Sequence, residues 1–209
     1  MTASPSSVPN LRRVQRIRKG VLLIAILVVL AFAAVTRSLG GETLLHEGLE
    51  AIGLALIAIC IIGRAWCSLY IGGRKKAEIV DRGPYSITRN PLYVFSFMGA
   101  FGMGALTGSA TIAVLFLVIA VAVFAATVRR EEAWLRATFG DAYDAYVART
   151  PRFWPDVSRW RDAETLEVRP AFFLRTLLDG AVMVIAYPLF ESIEYLQDIG
   201  WIRVLLSLP

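Results

Sequence analysis

Histidine is nearly absent from this 209-residue chain. The one present, His46, excludes any site built on two or more imidazoles. Cysteine is scarce too. Cys60 and Cys67 fall in one apolar run, too far apart to be bridged without breaking the helix expected there, so both are read as reduced core residues. Lysine gives way to arginine, 3 against 19, a usage that points to a GC-rich bacterial genome. No small-residue cleavage pattern follows the first apolar block, which is therefore read as a retained span and not a signal peptide. What the chain has in quantity is apolar sequence: 56% hydrophobic residues and a mean hydropathy of +0.59. The excess lies in long blocks, and about 20 apolar residues cross ~30 Å of hydrocarbon. The expected fold is all-α, a polytopic integral membrane protein with about five transmembrane helices.

The net charge of +5 is not spread as a nucleic-acid-binding surface would be, and no nucleic-acid partner is expected. Of 22 basic residues, 18 lie in residues 1–20, 71–90 and 129–170. The alternate polar segments hold Arg37 and Arg203 alone, while Arg64 and Arg175 fall inside apolar runs. That asymmetry is the positive-inside pattern. It predicts an N-terminus and both long polar segments in the cytoplasm, with the chain in a bacterial inner membrane.

Four segments follow. Residues 1–20 form a basic arm at the lipid headgroups, 21–155 the membrane core, 156–169 a polar cytoplasmic linker, and 170–209 a last span and tail. Within the core, spans are expected at about Val21–Val35, Leu44–Tyr70, Leu92–Ala105 and Ala110–Val128, with the fifth at Ala171–Phe190. The tail, Ile199–Leu208, is too short to cross and is read as an interfacial segment. Gly99, Gly102 and Gly104 are expected to let helices approach closely. His46 and Glu50, one helical turn apart, are read as an interfacial polar cluster, and no metal is expected. Arg64 is costly in hydrocarbon without an anion, and both a structural carboxylate and a substrate contact stay open for it.

The chemistry concentrates in Arg82-Gly83-Pro84-Tyr85 through Pro151-Arg152-Phe153. Two polar clusters flank an apolar run broken once, at Thr107-Gly108-Ser109, so a hairpin returns them to one membrane side. Pro91 suits a first helical turn, which places Asn90 at a helix start whose free N–H groups attract anions. Arg129, Arg130, Glu131 and Glu132 follow the hairpin. Leu135, Phe139, Tyr143, Tyr146 and Val147 then form an apolar stripe interrupted near Gly140, expected to lie on the membrane surface.

Gly83-Pro84-Tyr85, Arg89-Asn90-Pro91-Leu92-Tyr93, Glu131-Glu132, Phe139-Gly140, Tyr143, Tyr146 and Pro151-Arg152-Phe153, in that order, resemble the isoprenylcysteine carboxyl methyltransferase family, related to the phospholipid N-methyltransferases. The resemblance covers about residues 60–155. It implies an S-adenosylmethionine-dependent enzyme whose cofactor lies between the motif halves, without a Rossmann domain. It implies cofactor contacts from Tyr85, Arg89, Asn90, Pro91, Tyr93, Glu131 and Glu132, and catalytic roles for Arg129 and Glu132. The position of Asn90 is often His in the family; Asn keeps a donor and an acceptor but no imidazole. The implied acceptor is a carboxylate on a lipid-like or prenylated small substrate reached from the bilayer. Phospholipid or amine N-methylation, an NADPH-dependent membrane reductase and a non-catalytic membrane protein are the alternatives.

Overall fold

A computed structural model describes residues 31–32, 34–38, 44–75 and 77–208. The basic arm, most of the expected first span and the Gly40-Gly41 turn lie outside them. Seven helices organise the described chain: α1 Leu44–Ile71, α2 Pro84–Ile87, α3 Pro91–Ala105, α4 Ala110–Phe139, α5 Asp141–Arg149, α6 Pro170–Ala181 and α7 Ala186–Asp198. α1 packs along α3 on one side and α6 on the other, and α3 packs against α4.

The helices facing outward carry exposed Ile62, Val118 and Leu178, an apolar surface suited to lipid and not to water. Three helical segments among the described residues are long and apolar enough to span: Leu44–Ile71, Ala110–Phe139 and Pro170–Asp198. This is an integral membrane protein. Of the five expected spans, these three regions are long enough to cross. The first lies mostly outside the described residues, and α3 has only 15 residues, ~22 Å of helix against ~30 Å of hydrocarbon.

Sequence explains the helix ends. The Ser109 side chain accepts the Ile112 N–H at 3.4 Å and caps α4. That helix does not stop at Val128 but runs on to Phe139, a continuous 30 residues. Gly140, at φ 52°, makes the break before α5. The stripe beyond it is turned inward: Tyr143 and Tyr146 are buried against the protein instead of lying on a lipid surface. Between α6 and α7 the chain tightens into a 3-10 turn at Val182–Ile185, just ahead of Pro188, whose ring cannot follow a regular preceding turn.

The α1–α3 contact depends on glycine. A Cβ on Gly102 would stand 2.8 Å from the Gly53 carbonyl oxygen, and one on Gly53 would stand 2.8 Å from that of Gly102. Gly99 and Gly104 are equally crowded, by Cys60 and by the Ala113 backbone, so close packing is the use made of all three expected glycines. Gly102→Ala is expected to cost ~1–3 kcal/mol through overpacking, read as a lower melting temperature in detergent. An unchanged melting temperature would contradict this contact.

Two features were not expected. The 156–169 linker is packed: Trp160 stacks on Trp66 of α1 at 5.7 Å, the Gly83 N–H donates to the Arg161 carbonyl at 2.7 Å, and the Tyr70 hydroxyl donates to Asp162 at 2.8 Å. In the tail, Leu206–Leu208 forms a strand (β2) parallel to Thr36–Ser38 (β1). Gln197 donates to the Ala34 carbonyl at 2.9 Å, and Arg37 pairs with Asp198 at 2.7 Å, so the tail is tied to the chain before α1.

Candidate functional site

A cleft opens where α1, α3, α4 and α5 converge. α3 begins there while α4 continues two turns past Glu132, so the polar start of the short helix is recessed between longer neighbours.

Beneath the cleft, Glu132 ties the two motif halves together. It is buried, yet its carboxylate has three partners. Oε1 accepts from Arg89 Nε at 3.2 Å, Asn90 Nδ2 at 3.4 Å and Arg152 Nε at 3.3 Å. Oε2 accepts from the second Arg152 nitrogen at 2.6 Å. Arg89 also donates to the carbonyls of Val147 at 3.2 Å and Thr150 at 2.5 Å, and its backbone N–H to that of Pro151 at 2.8 Å. Asn90 occupies the cap position of α3 without capping it. Its amide instead bonds Glu132 and the Arg152 carbonyl, the latter at 3.1 Å.

Glu131 sits at the mouth. Its Oε2 accepts from the Tyr93 hydroxyl at 3.1 Å and its Oε1 from Lys75 at 2.7 Å. Lys75 therefore reaches the cleft. Tyr85, Tyr143 and Tyr146 form the inner wall. The Tyr146 hydroxyl donates to the Tyr85 carbonyl at 2.8 Å. The Tyr85 hydroxyl is buried with no hydrogen-bond partner among the described residues, an orphan donor at the cleft wall. Burial raises the Tyr85 and Tyr146 phenols well above their ordinary value and pushes Tyr143 up to about 12. All three stay neutral hydroxyls at physiological pH.

The structure thus gathers Tyr85, Arg89, Asn90, Tyr93, Glu131 and Glu132 around one space. It does not bring Pro91 or Arg129 to the lining: Pro91 is buried at the first turn of α3, and Arg129 is exposed on α4. Sequence reasoning missed Arg152 as a site residue, although the Pro151-Arg152-Phe153 motif was visible, and it missed Lys75. Nothing in a linear pattern says that residue 152 closes an ion pair with residue 132. Deeper in the bundle, Arg64 of α1 donates to Ser96 of α3 at 2.5 Å. No carboxylate lies within ion-pair distance of it among the described residues, which disfavours the structural-partner reading.

The residues present fit S-adenosylmethionine. The lining offers Glu131, Glu78, Lys75 and the Tyr93 ring, a set of charges and an aromatic face that suits a cationic, zwitterionic ligand.

Fold and cleft together define a helical membrane protein with a polar site recessed at one end of its bundle. A sequence model of the family described as phospholipid methyltransferase matches residues 51–142. The nickel-cobalt-cadmium resistance protein NccN of Alcaligenes xylosoxydans xylosoxydans is 32% identical over 207 residues, 99% of this chain and 96% of that protein. The cobalt-zinc-cadmium resistance protein CzcN of Cupriavidus metallidurans is 34% identical over 211 residues, 98% of this chain and 97% of that one. A protein-S-isoprenylcysteine O-methyltransferase of Schizosaccharomyces pombe is 31% identical over 90 residues, 43% of this chain and 38% of that enzyme. No solved structure matches. The chain belongs to one family with NccN and CzcN, and its central part bears the resemblance to the phospholipid and isoprenylcysteine methyltransferases that the sequence motifs pointed to.

Proposed function

We propose that this protein transfers a methyl group from S-adenosylmethionine to a membrane-resident amphiphile, with a carboxylate as the favoured acceptor. The observation that carries the reading is the buried Glu132 knot, which holds both motif halves under a cleft lined by Tyr85, Tyr93 and Glu131. When bound, the cofactor supplies an activated methyl on a sulfonium, so the protein has mainly to align donor and acceptor and to exclude water. Positioning of that kind contributes ~7–11 kcal/mol in well-oriented cases.

Glu131 and the Tyr93 ring face the cofactor's positive charge, Lys75 meets its carboxylate, and the orphan Tyr85 hydroxyl donates into the cleft. Asn90 and Arg89 line the site with side chains fixed by Glu132, and Pro91 sets the first turn of α3 that aims Asn90. Glu132 acts first as a positioning group, its oxygens already engaged by Arg89, Asn90 and Arg152. Arg64, without a carboxylate partner, orients the acceptor carboxylate from within the bilayer. Arg129, exposed where α4 leaves the apolar zone, meets the acceptor headgroup on entry. The positive-inside pattern supports a cleft at the cytoplasmic side.

Incubating purified protein with methyl-tritiated cofactor and bacterial lipid extract tests the reading; label in the organic phase is expected, and none would oppose it. Arg64→Met is expected to lower kcat/KM for the acceptor at least ~tenfold with unchanged cofactor affinity. An equal loss of cofactor affinity would remove Arg64 from the acceptor side.

The full-length relatives named for metal resistance favour a second reading, a contribution to tolerance of divalent transition metals. Loss of the gene would then sensitise its host to cobalt, zinc or cadmium, and an unchanged inhibitory concentration would count against it.

A further inference from the structure

At the other end of α1, the His46–Glu50 pair gains a third member that no local pattern announces. Glu194 of α7, 144 residues beyond Glu50 in the chain, is folded against it. His46 Nε2 lies 3.2 Å from Glu50 Oε1 and 3.7 Å from Glu194 Oε1. One donor atom from each residue falls within 4.8 Å of the others. Donors bound at ~2.0–2.2 Å around a tetrahedral ion stand ~3.3–3.6 Å apart, close to the two distances from His46 Nε2.

The ring is held in place. Its Nδ1 is buried with no hydrogen-bond partner among the described residues, and it occupies room that only glycine leaves: a Cβ on Gly108 would stand 1.8 Å away. The φ of +62° at Gly108 suits glycine as well. Among the described residues neither carboxylate forms an ion pair with a Lys or Arg. His46 is the only basic side chain within 4.0 Å of either one among the described residues, Arg37 is paired with Asp198, and Glu47 and Glu191 add negative charge nearby. Half-buried like charges held together are costly without a counter-ion.

We propose that His46 Nε2, Glu50 and Glu194 bind one first-row divalent transition cation, clamping the start of α1 to α7 at the end of the bundle remote from the cleft. One imidazole and two carboxylates suit Zn²⁺, Co²⁺ or Ni²⁺ and leave a position open for water, whereas Mg²⁺ and Ca²⁺ favour oxygen alone. His46 and Ile71, at the cleft, are separated by ~37 Å of helix. The site rests on this geometry and does not depend on methyl transfer.

Because His46 is the sole histidine, its imidazole reports without ambiguity. Full-length protein in detergent, ¹⁵N-labelled at histidine and purified without a histidine tag, is titrated with ZnCl₂. The expected result is a change in the single imidazole spectrum that saturates at one equivalent and does not occur with MgCl₂. Calorimetry on the same protein should give a one-to-one site weakened at least tenfold by Glu194→Gln and by Glu50→Gln, but not by Asp144→Asn at the opposite end. An imidazole spectrum unmoved by excess Zn²⁺ overturns the proposal, with no variant required to fold. Zinc affinity unchanged in both glutamine variants overturns it equally.

Discussion

Glu132→Gln is expected to weaken S-adenosylmethionine binding at least tenfold, about 1.4 kcal/mol, and to destabilise the fold at the same time. The amide keeps the shape but removes the charge that both Arg89 and Arg152 share. Arg89 is nearly buried, with a side chain 9% exposed, so its charge is left without an anion inside the protein. Breaking a buried pair by deleting one partner costs ~3–5 kcal/mol. Arg152 is about half exposed and can turn to solvent, so it adds little. The folded fraction should then bind cofactor poorly, because Asn90 and Arg89 are no longer held under the cleft. Differential scanning fluorimetry and calorimetry separate the two effects. Wild-type affinity in well-folded Glu132→Gln would take Glu132 out of the site.

Arg89→Met is expected to have the larger structural effect. One guanidinium joins Glu132 to the carbonyls of Val147 and Thr150, and so ties α4 to the end of α5. Methionine matches much of the length and none of the donors, leaving two carbonyls unpaired at ~1–3 kcal/mol each in addition to the lost ion pair. Arg89→Lys should recover part of this, since a point charge can still meet Glu132 but cannot reach all three acceptors. A melting temperature ordered wild type, Lys, Met is the expected result. Equal stability of the two variants would contradict the bridging role.

Much of this was legible in the chain because it is local. Pro91 after Asn90, Ser109 before an apolar run and Gly140 within an amphipathic stripe each act on their immediate neighbours, and the helix ends fall where those residues put them. The grouping of Asn90 with Glu131 and Glu132 followed from a hairpin returning to one side. What escaped was decided by contacts between distant segments. Arg152 closes on Glu132, Trp160 on Trp66, and β2 on β1 only once the helices are assembled. Arg129 and Glu132, both catalytic by the resemblance, are neighbours on one side of α4, yet Arg129 is exposed while the chain around residues 89 and 152 closes over Glu132. The partner of the apolar stripe was not legible for a related reason: aromatic residues at helical spacing bury equally well against lipid or protein, and here Tyr143 and Tyr146 found Tyr85.

Calorimetric titration of the detergent-purified protein with S-adenosylmethionine and, in parallel, with NADPH tests the central claim most directly. Micromolar one-to-one binding of S-adenosylmethionine with none of NADPH is the predicted result, because the arginines and lysine at the cleft are already paired with Glu132 and Glu131 and leave no free cation there for a 2′-phosphate among the described lining residues. Binding of NADPH alone, or of neither, would contradict it.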